Sequence, residues 1–143
     1  MKNMKLQYTA ASHPGQRQSN QDNLCIGKEV LWIDGEDFFE TASEWAGSGP
    51  QMLCVCDGIG GGAMGDLAAL LALEGVQAAA NAPDSQDDLE DLVLQAAEEA
   101  QFRVSSYFRH IGRNGGCTMT LAAVDPIRIQ FIFIYSHCGY SAC

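Results

Sequence analysis

One short stretch gathers residue types that do chemistry on charged ligands. It runs Met52-Leu53-Cys54-Val55-Cys56-Asp57-Gly58 and continues through Gly60, Gly61, Gly62 and Gly65. The apolar run 52–56 predicts a short buried strand. Asp57 stands at its end, and a helix-like segment begins near Ala63. The glycines let backbone approach a ligand closely and take positive φ without a Cβ penalty. A carboxylate at a strand end, beside bare backbone, is a donor set for a hard divalent cation, which takes carboxylate and carbonyl oxygens. Two other readings compete. Gly60, Gly62 and Gly65 fit G-x-G-x-x-G, the dinucleotide turn, so a nucleotide-binding protein using this loop is one alternative. Against it, Asp57 sets negative charge beside the pyrophosphate. The acid-tipped strand expected about 20 residues on is replaced by a turn, Asn81-Ala82-Pro83-Asp84. The other alternative is a tight strand-to-helix turn that binds nothing.

A second polar cluster lies upstream, in the turn-rich segment 12–23. Its chemistry-bearing residues are Arg17 and Asp22. The elements that must position these groups can be read from periodicity. Residues 5–11 predict a first strand and 24–27 a second. Val30-Leu31-Trp32-Ile33 is strand-like, and the acidic segment 34–50 reads as an exposed loop in which Trp45 packs locally. Residues 63–81 predict a helix that is apolar on more than one face and therefore well buried. After Pro83, a second helix over 84–110 is expected, with Ser85 as its cap and an acidic first turn. Its apolar stripe is Leu89, Leu92, Val93, Ala96, Ala100, Val104, Tyr107 and Phe108. Residues 112–116 end it. Residues 117–124 and 127–135 predict two strands joined by an Asp125-Pro126 corner, which makes them an antiparallel hairpin.

The chain has 143 residues, enough for one domain with an ordinary core. Eight basic against 18 acidic residues give a net charge of −10. That balance argues against nucleic acid and anionic membrane as partners and favours capture of cations. No stretch is apolar over the roughly 18 residues that a membrane span needs, and the first residues lack a signal-peptide core. A cytoplasmic protein with reduced cysteines is expected. Cys54 and Cys56 share one strand face and read as core residues, and no C-x-x-C pair points to zinc.

The order of motifs carries a resemblance. Arg17-x-x-Asn20-Gln21-Asp22, then Cys56-Asp57-Gly58-Ile59-Gly60-Gly61, then Gly65-Asp66, then Gly116-Cys117-Thr118-Met119-Thr120 resembles the PPM-type (type 2C) metal-dependent protein serine/threonine phosphatases. The chain matches the N-terminal part of that catalytic domain. The resemblance implies an α+β fold, a layered α-β-β-α sandwich of antiparallel sheets flanked by helices, incomplete at the C-terminus. It implies a hydrolase with a two-metal Mn²⁺ or Mg²⁺ site and a phosphoserine or phosphothreonine protein as substrate. Asp57 would bridge the metals and Gly58 would add a backbone carbonyl. Asp22 would lie in or just behind the metal shell, Gln21 would orient a metal-bound water, and Arg17 would bind the phosphoryl group.

The chain also departs from the family pattern. Gln21 stands where many members have Glu, and Ile59 replaces a His or Met. The family's G-D-S-R motif would fall at Gly139-Tyr140-Ser141-Ala142, without its Asp and Arg. Further Asp ligands belong to the family's C-terminal half. The expectation for these 143 residues by themselves is therefore an under-liganded site without turnover. A non-catalytic binding module of the same fold is the corresponding alternative. An unpaired edge on the last apolar strand predicts self-association.

Overall fold

The computed structural model describes residues 5–27, 29–30, 39–45, 49–59, 63–82, 88–127 and 130–141. The architecture is α+β, as expected. In chain order the elements are β1 (Leu6–Ser12), β2 (Asp22–Ile26), β3 (Glu29–Val30), β4 (Phe39–Trp45), β5 (Gln51–Ile59), α1 (Ala63–Ala80), α2 (Leu89–His110), β6 (Gly115–Asp125) and β7 (Gln130–Tyr140). Five strands form one antiparallel sheet in the order β3-β2-β5-β6-β7. β1 and β4 form a separate antiparallel ribbon. Of the layered sandwich, the described residues thus form one helix layer, one large sheet and a two-stranded second sheet.

Several boundaries differ from the sequence reading, each for a local reason. The acidic segment 34–50, expected as a loop, contains β4. Its register with β1 brings Glu44 to Gln7, with Leu6 opposite Trp45. The Glu44 carboxylate meets Lys5 at 2.7 Å and accepts from Gln7 at 3.3 Å. The side chain of Trp45, and residues 31–33 of the strand-like run, lie outside the described residues. β2 begins at Asp22 and β5 continues to Ile59, so both acids expected on loops or strand ends are inside strands. β7 runs from Gln130 to Tyr140 rather than over 127–135, because its ladder with β6 continues to the Gly115–Tyr140 pair.

Both helices pack on one face of the sheet, α1 over β2, β5 and β6, and α2 over β6 and β7. The expected stripe of α2 is its buried face: Leu89, Leu92, Val93, Ala96, Ala100, Val104 and Phe108. The expected start at 84 and the Ser85 cap lie outside the described residues. The helix itself starts at Leu89, after Asp88 in extended conformation. The Asp88 carboxylate accepts from Glu90 N–H at 2.8 Å, which satisfies a first-turn donor. The far end closes with Gly112 at φ 65°. Gly112 N–H donates to Arg109 and Arg113 N–H to Phe108, the paired bonds of a glycine-terminated helix. The helices meet closely at Gly75, where a Cβ would come within 2.6 Å of the Ala100 backbone.

The helix-covered face of the sheet is lined by Met52, Cys54, Cys56, Cys117, Met119, Leu121, Ala123 and Cys138, all buried. Cys54 and Cys56 are core residues, as expected. The opposite face, built from the alternate positions, exposes Val55, Ile59, Phe131, Phe133 and Tyr135. Among the described residues no helix is long and apolar enough to cross a membrane.

Candidate functional site

The ladder places Asp22 of β2 directly opposite Asp57 of β5, and Asp57 directly opposite Thr118 of β6. Thr118 in turn faces His137 of β7. Directly opposed residues of an antiparallel sheet share a face. Asp22, Asp57, Thr118 and His137 therefore form one lateral row on the face away from the helices. The two acids come together because β2 and β5 each extend one or more residues past their apolar runs.

The Asp22 side chain stands beside that of Asp57 on this face. The Asp22 pKa is raised above the ordinary carboxylate value. The leading cause is partial loss of water around the carboxyl, although the residue as a whole is exposed. The second is the charge of Asp57, followed by the hydrogen bond between the two. Arg17 acts the other way and lowers it. Arg17 thus lies near enough for its charge to be felt at the acid pair. It projects from the exposed turn after β1, where its N–H donates to Pro14 at 3.1 Å. Asn20 supports the same turn, accepting from Asp22 N–H at 3.1 Å and donating to Ser12 Oγ.

Gly58 is buried and follows Asp57 in β5. Its N–H donates to the Gln21 carbonyl at 3.2 Å, so its own carbonyl also faces the β2 side. No larger residue fits here, because a Cβ on Gly58 would overlap the Gly65 carbonyl of α1. Gly65 is tight as well: a Cβ there would stand 3.1 Å from the Gln21 amide. Gln21 is therefore packed between β2, Gly58 and the first turn of α1. The sequence-predicted residues Arg17, Gln21, Asp22, Asp57 and Gly58 all come to one end of the sheet. Gly60, Gly61 and Gly62 of the G-x-G-x-x-G turn lie outside the described residues.

Thr118 and His137 extend this row. Thr118 lies within a recognised motif, whereas His137 was not singled out from the sequence. The hairpin at Asp125-Pro126 and the period-2 alternation would have placed His137 on the Asp57 face, given the register. A cavity of about 390 Å³ adjoins the row, lined by Ile59, Gly116, His137, Gly139, Tyr140 and others. Among the described residues no group of three or more His, Cys, Asp or Glu is spaced to hold a metal ion.

The other concentration of reactive types is a row of buried thiols on the helix face. Cys25 is opposite Cys54, and Cys117 is opposite Cys138. Cys54 Sγ lies 3.9 Å from Cys56 Sγ, and Cys117 bonds the Ala68 carbonyl at 3.6 Å. All of these cysteines are free. Hydrogen bonding to Cys25 and burial push the Cys54 thiol well above its ordinary value, and hydrogen bonding to Cys117 and burial do the same to Cys138. For Cys56, the hydrogen bond with Cys117 lowers the value, but the bond with Cys54 and burial outweigh it. For Cys117, the bond with Cys138 lowers it, but the bond with Cys56 and burial prevail. Thiols held in this state supply neither thiolate ligands nor nucleophiles.

Comparison with known proteins gives no match: no family model, no curated protein and no solved structure corresponds to this chain.

Proposed function

We propose that the Asp22–Asp57 end of the sheet binds a divalent cation and a phosphomonoester. In this reading the chain carries the metal-dependent phosphatase chemistry of the type its motifs resemble, acting on phosphoserine or phosphothreonine proteins. The observation that supports this best is the cross-strand carboxylate pair with Arg17 beside it. A dication would relieve the repulsion that the charge of Asp57 exerts on Asp22. Carboxylate and carbonyl oxygens are the donors that Mn²⁺ and Mg²⁺ take. The donor set fits: Asp22 and Asp57 would hold the ion, the Gly58 carbonyl points towards β2 next to them, and waters would fill the remaining positions. When bound, such an ion lowers the pKa of its water and neutralises charge at phosphorus. Arg17 presents a planar fork to the phosphoryl oxygens. Gln21 holds the turn of α1 against β2 and orients water at its amide. The cavity beside Ile59 and His137 is where the remainder of the substrate would sit.

The second reading is a binding module of the same fold without turnover. It is favoured by the fact that the described residues bring only a pair of carboxylates to the site. The dinucleotide reading gains less support. The packing of Gly65 on Gly58 and Gln21 accounts for that glycine without a ligand, and the acid pair nearby opposes a pyrophosphate. Buried free thiols suit a reducing compartment, so a cytoplasmic location is part of this proposal.

The test is a calorimetric manganese titration of the full chain and of Asp57→Asn, with phosphopeptide hydrolysis measured alongside. Wild type should bind manganese. The variant should lose most of that affinity while keeping its circular dichroism spectrum, because a neutral amide is a poor ligand for a hard dication. Manganese binding with hydrolysis supports the phosphatase reading, and binding without hydrolysis the binding module. Equal manganese affinity in the two proteins refutes the site.

A further inference from the structure

β7 ends the five-stranded sheet, and among the described residues nothing pairs with its outer edge. Gln101 of α2 reveals which backbone groups lie there. Its side-chain amide donates to the Gly139 carbonyl at 3.0 Å, and its Oε1 accepts from Gly139 N–H at 2.9 Å. That exchange is the one a residue of a neighbouring strand would make. Gly139 therefore turns its backbone groups outward. The alternation of an antiparallel ladder then turns those of His137, Tyr135, Phe133 and Phe131 outward too, and those of Cys138, Ser136, Ile134 and Ile132 towards β6. Gln101 thus closes the edge at Gly139 and leaves the stretch from Phe131 to His137 open.

We propose that this open stretch pairs antiparallel with the same stretch of a second copy of the chain, across a twofold axis at Ile134. That register uses every open outward residue and stops at the Gln101 cap. Phe131 stands opposite the second copy's His137, and Phe133 opposite its Tyr135. Each such pair exchanges both backbone bonds. The side chains match as well as the backbone. Phe133 and Tyr135, 64% and 69% exposed, form aromatic cross-strand pairs on the face away from the helices. On the other face Ile134 meets its own mate.

The self-complementary register selects a second copy as the occupant, and the charge distribution permits it. The chain carries a net charge of −10, so two copies repel over most of their surfaces, yet β7 contains no Asp, Glu, Lys or Arg. Two acidic molecules meet along this strand without a like-charge contact. The devices that protect an edge from pairing, such as a lysine, a proline or a bulge, are missing from it. The dimer is a continuous ten-strand sheet, twice the five strands of one copy.

Sedimentation and amide hydrogen exchange of the full chain test this. A concentration-dependent dimer is expected. The amides of Phe133 and Tyr135 should exchange fast in dilute solution and become protected as the dimer forms, while those of Ile132 and Ile134 are protected throughout. Tyr135→Pro removes an outward N–H that β6 does not use. It should raise the dimer dissociation constant on the order of a hundredfold. A monomer at the highest soluble concentration overturns the proposal, even if β7 takes up an added peptide strand. So do oligomers beyond a dimer, or a dimer unchanged by Tyr135→Pro. Where that variant loses its native spectrum, the wild-type exchange pattern decides, and concentration-independent exchange at Phe133 and Tyr135 refutes the pairing.

Discussion

The two faces of the five-stranded sheet are built from alternate residues of the same strands, yet their chemistry is opposite. Towards the helices lie Cys54, Cys56, Cys117, Met119 and Leu121, dry and close-packed. Away from them lie Asp22, Asp57, Thr118 and His137 in one row, with Val55, Phe133 and Tyr135 exposed below it. Thiols on the first face are held neutral by burial and by one another, so reactive atoms there have no reaction to perform. On the second face the Asp22 carboxyl stays in partial contact with water and feels the opposing charges of Asp57 and Arg17. Residue type alone does not make a site: the same strand presents a buried, inert Cys56 and an exposed Asp57 one position apart.

The largest effect is expected at Phe108, fully buried on the sheet-facing side of α2. Its ring occupies the space a side chain at Gly115 would need, at the start of β6. Phe108→Ala opens a cavity and should cost about 3–5 kcal/mol, read as a fall in the urea midpoint with an unchanged slope. A loss below ~1 kcal/mol would mean that this part of the helix face collapses around the gap and is not the rigid layer described.

Substitution at Arg17 should spare stability and cost ligand affinity. Arg17 is exposed and packs no core residue, so Arg17→Lys should leave the urea midpoint within about 0.5 kcal/mol of wild type. Lysine keeps the charge but not the bidentate fork. The affinity of the manganese-loaded protein for inorganic phosphate should drop on the order of tenfold, about 1.4 kcal/mol, with manganese affinity unchanged. A matching loss of manganese affinity would make Arg17 a support of the acid pair instead of a phosphate ligand.

The helix face was legible because it is written in periodicity. The α2 stripe from Leu89 to Phe108 follows helical spacing, and the β6–β7 hairpin is announced by Asp125-Pro126. The candidate site was legible only as residue types. Asp57 stands out by its glycines and Asp22 by its motif. That they face each other depends on a register between β2 and β5 that no local signal encodes, since the strands are separated by β3, β4 and their connections. His137 escaped notice for the same reason, since its neighbours Thr118 and Asp57 are set by two successive registers. β4 was missed because acidic residues at Glu40 and Glu44 imitate a loop. What outweighs their low strand propensity is pairing with β1, where Lys5 and Gln7 meet Glu44.

The smallest effect bears most directly on the acid pair. The folded-state pKa of Asp22 is raised above its ordinary value of 3.8, by desolvation first and by Asp57 second. An acid whose pKa is raised on folding contributes stability below its unfolded pKa and loses that contribution as pH rises through the folded value. The decline therefore begins in the ordinary carboxylate range and runs through the raised folded value, as the charge on Asp22 comes to stand directly opposite Asp57. Asp22→Asn removes the repulsion. Without metal, the variant should be more stable than wild type at pH 7 by roughly 0.2–1 kcal/mol, the scale of a like-charge cross-strand pair. The two proteins should converge in acid. Manganese should reverse the order at pH 7, because a ligand stabilises the folded state that binds it, and wild type binds it more tightly. Thermal unfolding of both proteins across this pH range, with and without manganese, reads all of these outcomes. A variant less stable than wild type at pH 7 in the absence of metal would show that the two carboxyls support each other more than they repel. The acid pair would then be a structural contact of β2 and β5, not a site awaiting a cation.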